Sequence, residues 1–420
     1  MSDVRDGKRH ILVILEALPY PVDPRVRGEV QALVAAGYAV TVVGPAALGF
    51  NARHETIDGA RVLRFRAVPR GRTPLGYFRE YGASFAALAW LVRRVHRERP
   101  VDLAFVCGPP DVLVALALPL KRAGAAILFD YRELSPELFE AKFGAGGAPR
   151  RLLSTLLRRS ERFALQHADA VITVTEPCAD LARTRGRVDP KRLFLVGNGP
   201  DPNRIYPVTP RPELRGGHEH LILWLGAMST QEGLERLIDA ADELVNRHGR
   251  RDVGFALVGP GDVHDRLRQL VAEHRLNDVI DVRGAVDEDA VRAYISTADV
   301  CVGVDESNSM NDRAGMRKVL EYMAIGRPVV QFPLAEMRRL CGDATIYARN
   351  ADPRDVARKI AWLLDNPKER ERIGAAGRDR VLHGLMWPDQ VAPLLAAVRS
   401  ALGDVPSARP RQPPPAAAHR

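Results

Sequence analysis

The stretch DESNSMNDRAGMRKVLEYMAIGRPVV, Asp305–Val330, decides how the chain folds. It follows the apolar run Val300–Val304, which reads as a strand, and begins as a polar loop. Val319, Leu320, Met323 and Ala324 then recur at helical spacing, turning one face of a helix to a core. Gly326 supplies the helix stop, and Pro328 opens the next apolar run, Val329–Phe332. Strand, loop, helix and strand in that order make a β-α-β unit, whose two strands lie parallel.

The same alternation continues in both directions. Leu221–Leu225, Gly254–Val258 and Val279–Val282 precede the stretch, each followed by an amphipathic segment. Earlier still come Ile11–Leu15, Val40–Val43, Leu103–Cys107, Ile127–Asp130 and Val171–Thr175, with helical segments such as Arg151–His167 between them. Between Gly199 and Gly217 the alternation stops. Pro200, Pro202, Pro207, Pro210 and Pro212 crowd there without a period, a linker signature. The pattern predicts an α/β chain of two doubly wound, Rossmann-like domains facing across a cleft. The expected divisions are 1–205, 206–386, a final amphipathic helix over 387–402, and a proline- and alanine-rich disordered tail over 403–420.

Composition excludes several classes. Of 420 residues, 46% are hydrophobic and 27% charged, ordinary for a globular chain and unlike collagen, a coiled coil or a disordered protein. Lys+Arg of 61 against Asp+Glu of 52 leaves +9, spread along the chain and nearly all arginine. That charge is neither clustered nor interleaved with aromatics, so no nucleic-acid partner is expected. Cys107, Cys178, Cys301 and Cys341 lack metal-like spacing and read as buried free thiols of a cytoplasmic protein. No run reaches the roughly 18 apolar residues of a membrane span.

Polar loops at the carboxyl ends of strands are where an open α/β sheet binds ligands. Asp23 caps a helix with Pro24 in its first position, and Arg25 then opposes the helix dipole, so either a salt bridge with a nearby acid or a functional role must place it there. Asp130, Arg132 and Glu133 crowd three charges at a sheet edge, a cost unless solvent or a ligand matches them. Gly226, and Gly259 with Gly261, sit in strand-to-helix turns where backbone N–H groups can approach a phosphate. Lys318 and Glu321 are three apart and share a helix face. Asp287-Glu288-Asp289 satisfies a D-x-D pattern but precedes a helical segment, where acids cap; no metal site is expected.

Taken in order, these segments resemble family-4 glycosyltransferases of the GT-B fold. The matching pieces are D-P-R-V-x-x-E-V from Asp23, F-D-Y-R-E-L-x-P-E from Phe129, Val196-Gly197-Asn198-Gly199, Leu225-Gly226, Val258-Gly259-Pro260-Gly261, Asn311-Asp312, and K-V-L-E-Y-M-A-I-G-R-P-V-V from Lys318. The resemblance implies a nucleotide-diphosphate sugar as donor substrate, no cofactor, no required metal, and transfer with retention at the anomeric carbon. It assigns donor binding to Glu321, Lys318, Arg317, Asn311, Gly226, Gly259 and Gly261. It assigns the catalytic and acceptor side to Asp130, Arg132, Glu133 and Arg25, with a glycan, lipid-linked or small-molecule acceptor. It also implies that the last helix crosses back to the first domain.

Four positions depart from the family pattern. Arg313 stands where the first acid of Glu-x7-Glu is common, Ala227 and Glu232 replace a frequent Arg and Lys, and Arg132 replaces a frequent His. A nucleotide-sugar 2-epimerase and a non-catalytic nucleotide-sugar binder are the competing readings. Finally, Tyr77, Phe78, Tyr81, Phe85, Leu88 and Trp90 precede Arg93, Arg94, Arg97 and Arg99, so peripheral contact with an anionic membrane is expected of that segment.

Overall fold

Two parallel sheets carry the chain. The computed structural model describes residues 7–66, 74–143 and 147–404. Among these, 7–140, 147–196 and 391–404 form one unit, and 141–143 with 197–390 form the other. The expected tail from 405 onward, and the side chains of Tyr77, Phe78 and Tyr81, lie outside the described residues.

The first unit has β1 (His10–Ile14), β2 (Ala39–Ala46), β3 (His54–Ile57), β4 (Ala60–Arg66), β5 (Leu103–Cys107), β6 (Ala126–Tyr131), β7 (Ala170–Thr173) and β8 (Leu193–Leu195). Its helices are α1 (Pro24–Ala35), α2 (Pro74–Glu98), α3 (Val114–Arg122), α4 (Ser135–Phe143), α5 (Ala148–His167) and α6 (Glu176–Thr184). The sheet order is β3-β4-β2-β1-β5-β6-β7-β8, so chain direction across the sheet reverses between β1 and β5. Periodicity missed β3 and β4. They form an antiparallel pair, His54 opposite Leu63, at one edge of an otherwise parallel sheet. β1, β5 and β7 are buried along their whole length, as strands covered on both faces must be.

The second unit has β9 (His220–Leu225), β10 (Val253–Val258), β11 (Ile280–Arg283), β12 (Val300–Gly303), β13 (Val329–Gln331) and β14 (Ile346–Tyr347) in the order β11-β10-β9-β12-β13-β14. All its pairings are parallel. Its helices are α7 (Leu234–Asp242), α8 (His264–Glu273), α9 (Glu288–Thr297), α10 (Arg317–Ile325), α11 (Ala335–Cys341), α12 (Pro353–Asp365) and α13 (Pro367–Leu382); α14 (Trp387–Ala401) follows. The reversal here falls between β9 and β12. Gly326, in left-handed conformation at φ 85°, ends α10, as the sequence requires.

The proline-rich segment is not a free linker. Val208 N–H donates to Ser296 Oγ at 3.0 Å and Arg211 N–H to Thr297 Oγ at 2.8 Å, strapping it to α9. The unit boundary therefore falls at 196, earlier than the expected 205. Within α14, residues from Val391 onward count with the first unit. The four cysteines are buried free thiols. No helix among the described residues is long and apolar enough to cross a membrane.

Candidate donor and acceptor sites

In the first unit, the loops after β1, β5 and β6 converge on one buried charge cluster. Asp23 accepts the Arg25 N–H at 3.0 Å and caps α1, which swings the Arg25 side chain inward. Arg25 is 3% exposed and donates twice to Asp130, at 3.2 and 3.0 Å, and to the Val196 carbonyl at 2.9 Å. Arg132 pairs with Asp23 at 2.6 Å and donates to the Gly108 carbonyl at 2.8 Å. Glu29, one helical turn after Arg25, is fully buried 3.0 Å from it. Burial, and then the neighbouring Asp130 carboxylate, push the Glu29 carboxyl up to about 8. With Glu29 holding its proton, two guanidinium groups face two carboxylates and the cluster is neutral.

This arrangement separates the four residues expected on the acceptor side. Arg25 and Asp130 are sealed and matched to one another, which ties the loops together. Arg132 reaches toward solvent with its partners in place. Glu133 is the exposed member and makes no hydrogen bond or ion pair among the described residues. Its shell is nonetheless dense enough for desolvation to hold its carboxyl above the usual range. Asp111, which sequence reading missed, is buried after β5 with Oδ2 unpartnered, and burial pushes it up to about 7. Its signal was present: an acid directly after Pro109-Pro110 at a strand end.

The second unit places its charges at the reversal between β9 and β12. Lys318, the second residue of α10, reaches Asp305 at 3.0 Å, pairs closely with Glu232, and lies 4.8 Å over the Trp224 ring. Asp305 follows β12 and Glu232 follows β9, so loops from adjacent strands meet on one ammonium. The two carboxylates raise the Lys318 pKa against burial, while burial raises that of Glu232. Glu232 and Asp305 hold the ammonium that the resemblance assigns to donor binding. Lys318 and Glu321 do not pair either, because Lys318 turns toward β9.

Glu321 is different. It is 7% exposed, and its carboxylate makes no hydrogen bond or ion pair among the described residues. Burial raises its pKa, opposed by the field of Arg317 and Arg204. Desolvating a carboxylate without a partner is costly, and such cost concentrates where a ligand supplies the partner.

The remaining donor-side expectations divide. Asn311 Nδ2 donates to the Glu306 carbonyl at 2.8 Å, which pins the loop before α10 and occupies that side chain. Gly226 N–H donates to Val258 O at 3.0 Å and Gly259 N–H to Arg283 O at 3.1 Å, so neither amide is open to a phosphate. These glycines serve close approach instead. A Cβ on Gly259 would stand 1.8 Å from Gly226 O, and one on Gly261 would stand 2.0 Å from Met228 O. The D-x-D pattern is a cap, with Asp287 accepting the Ala290 N–H at 2.8 Å and Glu288 pairing with Arg204 at 2.7 Å.

Two family models match the chain: a glycosyl transferase 4-like domain over residues 22–199 and glycosyl transferases group 1 over 219–366. The chain belongs to the family-4 glycosyltransferases. Alpha-D-kanosaminyltransferase of Streptomyces kanamyceticus is 26% identical over 231 residues, 53% of this chain and 58% of that protein. The match thus spans under two thirds of that relative's length. Among solved structures, sucrose-phosphate synthase from Thermosynechococcus elongatus superposes with a TM-score of 0.77 at 19% identity, over 95% of this chain and 100% of that one. HepE of Anabaena, solved with UDP and glucose, gives a TM-score of 0.70 at 14% identity over 93% and 99%. Both likenesses concern the fold, which is GT-B.

Proposed function

We propose that this family-4 protein transfers a sugar from a nucleotide-diphosphate sugar to a glycan, lipid-linked or small-molecule acceptor, with retention. The second unit holds the donor and the first supplies acceptor contacts. One observation carries the reading: Glu321, a buried carboxylate without a partner among the described residues, stands on the helix whose N-terminus adjoins the sheet's reversal point. That point is where doubly wound sheets take nucleotides. An ionised carboxylate there has free lone pairs for ribose hydroxyls. HepE, of the same fold, was solved with UDP and glucose.

Lys318 supplies positive charge for the diphosphate once Glu232 is protonated or displaced, and the N-terminus of α10 adds its dipole. In the transfer step the bond from the anomeric carbon to phosphate breaks, and the bond to the acceptor oxygen forms on the same face. The acceptor proton passes to a departing phosphate oxygen. The chain's part is then positioning and charge stabilisation. Glu133, exposed and unpartnered, is the residue of the first unit best able to orient a hydroxyl, and Arg132 fixes the loop beside it.

The test is release of nucleoside diphosphate from UDP-, GDP- and ADP-sugars with and without a panel of acceptors. The reading expects release that depends on acceptor, and NMR of the product reporting the donor's anomeric configuration. Conversion of the sugar in the absence of acceptor would favour a 2-epimerase, and binding without turnover a non-catalytic nucleotide-sugar-binding protein.

A further inference from the structure

On α2, where membrane contact is expected, Leu88, Leu91 and Val92 are buried in the core, and Trp90 is the one large apolar side chain exposed among its described residues. A groove on the second unit carries an inference of a different kind.

The two faces of the second sheet are covered unequally. On one face, Phe255, Leu257, Ile280 and Val282 pack into a core cluster. On the other, Leu221, Ala256 and Tyr294 pack together, with Tyr294 supplied by α9. There the edge strand β11 turns out Asp281 and Arg283, which alternate with Ile280 and Val282 and are exposed. Between Tyr294 and this edge a groove of about 490 Å³ opens, a volume in the range of small-ligand sites. Gly254 and Ala256 form its floor and are too small to fill it. His218 closes one end. Its ring nitrogens face the Arg251 and Asp278 carbonyls at 3.2 and 3.0 Å, and a Cβ on Gly254 would stand 2.7 Å from its ring.

The polar groups that converge here are left uncommitted. Tyr294 is 2% exposed and lines the groove, yet its hydroxyl makes no hydrogen bond among the described residues. Burial raises its pKa, and the charges of Arg283 and Asp281 act on it with opposite signs, so the three groups surround one space. Arg283 Nε donates to Asp281 Oδ2 at 2.9 Å. That contact leaves the terminal guanidinium N–H groups and Asp281 Oδ1 without a partner among the described residues. A donor and an acceptor therefore stand side by side, which suits two adjacent hydroxyls, one accepting and the other donating.

Charge narrows the class of ligand. Glu213, Asp278 and Asp281 border the groove, and Arg215, the second guanidinium of the lining, is already held by Asp299 at 2.8 Å, so an anion is repelled. Arg283 disfavours a cation. An apolar ligand would strand the Tyr294 hydroxyl and the open side of the Asp281–Arg283 pair. A neutral polyhydroxylated ring meets both demands, with its C–H face on the Tyr294 ring and the small floor, and its hydroxyls on the uncommitted groups. The groove is not the donor site. Leu221, Gly254 and Ala256 lie in the first halves of β9 and β10, whereas Glu232 and Asp305, which hold Lys318, follow the carboxyl ends of β9 and β12, about 15 Å further along the strands.

We propose that this groove is a carbohydrate-binding site of its own, which holds a short run of a neutral glycan on the second unit apart from the donor. The inference does not rest on the proposed transfer reaction.

The full chain would be titrated with maltotriose, mannotriose and tri-N-acetylchitotriose, followed by calorimetry and saturation-transfer NMR. At least one of the three should bind at millimolar concentration, and inorganic phosphate should not displace it. Tyr294→Phe keeps the ring, loses only an unpartnered hydroxyl, and should weaken binding about fivefold. Asp281→Ala with Arg283→Ala, both at exposed positions, should weaken it roughly tenfold or more while leaving the melting temperature and nucleoside diphosphate release unchanged. Glu321→Ala should bind the trisaccharide like the parent, so failure of this site and failure of the donor site are distinguishable. No binding by any of the three sugars would overturn the proposal. So would binding that the groove substitutions leave intact, which would place the glycan elsewhere, or displacement by phosphate, which would make the groove an anion site.

Discussion

Each unit reverses its strand order once, and each gathers charges at the carboxyl edge beside that reversal, but the two gatherings are balanced differently. In the first unit, Arg25 and Arg132 meet Asp130 and Asp23 in matched geometry, and Glu29 keeps its proton to preserve neutrality. In the second, one ammonium faces two carboxylates, and Glu321 is buried without an ion pair among the described residues. A cluster that satisfies itself holds loops together. A cluster left short of partners is shaped for something the chain does not contain. Both look alike in sequence, as charged loops after strands.

The largest effect should come from breaking the balanced cluster. Asp130→Ala leaves the buried Arg25 guanidinium without the carboxylate that accepts twice from it, and should cost about 3–5 kcal/mol of stability, read from a denaturant midpoint. A loss below 1 kcal/mol would show that the cluster is not what binds the loops. On the other side, Lys318→Ala should lower kcat/KM by about 2–3 kcal/mol, with kcat falling as well, because the charge it offers grows in value as the diphosphate departs. A change in KM alone would reduce Lys318 to ground-state binding.

Smaller effects sharpen the contrast. Glu232→Gln removes the carboxylate competing for Lys318 and should tighten nucleoside diphosphate binding about tenfold, or 1.4 kcal/mol, by calorimetry. Unchanged affinity would mean that Glu232 does not compete. Glu29→Gln should leave the fold intact and alter only its pH response. Between about pH 4.5 and 8 the unfolded chain has lost a proton that folded Glu29 still holds, so parent stability falls as pH rises across that window. The variant's melting temperature should fall less over the same range.

The doubly wound architecture was readable because the strands are apolar runs punctuated by glycine and proline, and those signals are local. β3 and β4 escaped because His54–Ile57 is an exposed edge strand with little apolar period. The strap over 197–217 escaped because hydroxyls on a distant helix hold it. At the candidate site, Glu321 and Lys318 could be named from sequence, yet their surroundings could not. Glu232 and Asp305 lie 86 and 13 residues from Lys318, and only the meeting of loops after β9 and β12 reveals that they clamp it. The glycine turns were read as phosphate cradles because φ and close approach look the same in sequence whether the neighbour is a ligand or another loop.

The central claim is that Glu321 serves a ligand at the expense of the fold, and one paired measurement on Glu321→Ala tests it most directly. Melting temperature without ligand and calorimetric affinity for UDP, GDP and ADP would be compared with the parent. The account predicts a melting temperature equal to or above the parent's, since an unpartnered buried carboxylate has been removed. It also predicts affinity for the preferred nucleotide weakened by about 1.5–3 kcal/mol. A lower melting temperature with undiminished nucleotide affinity would contradict it, and would make Glu321 a structural residue.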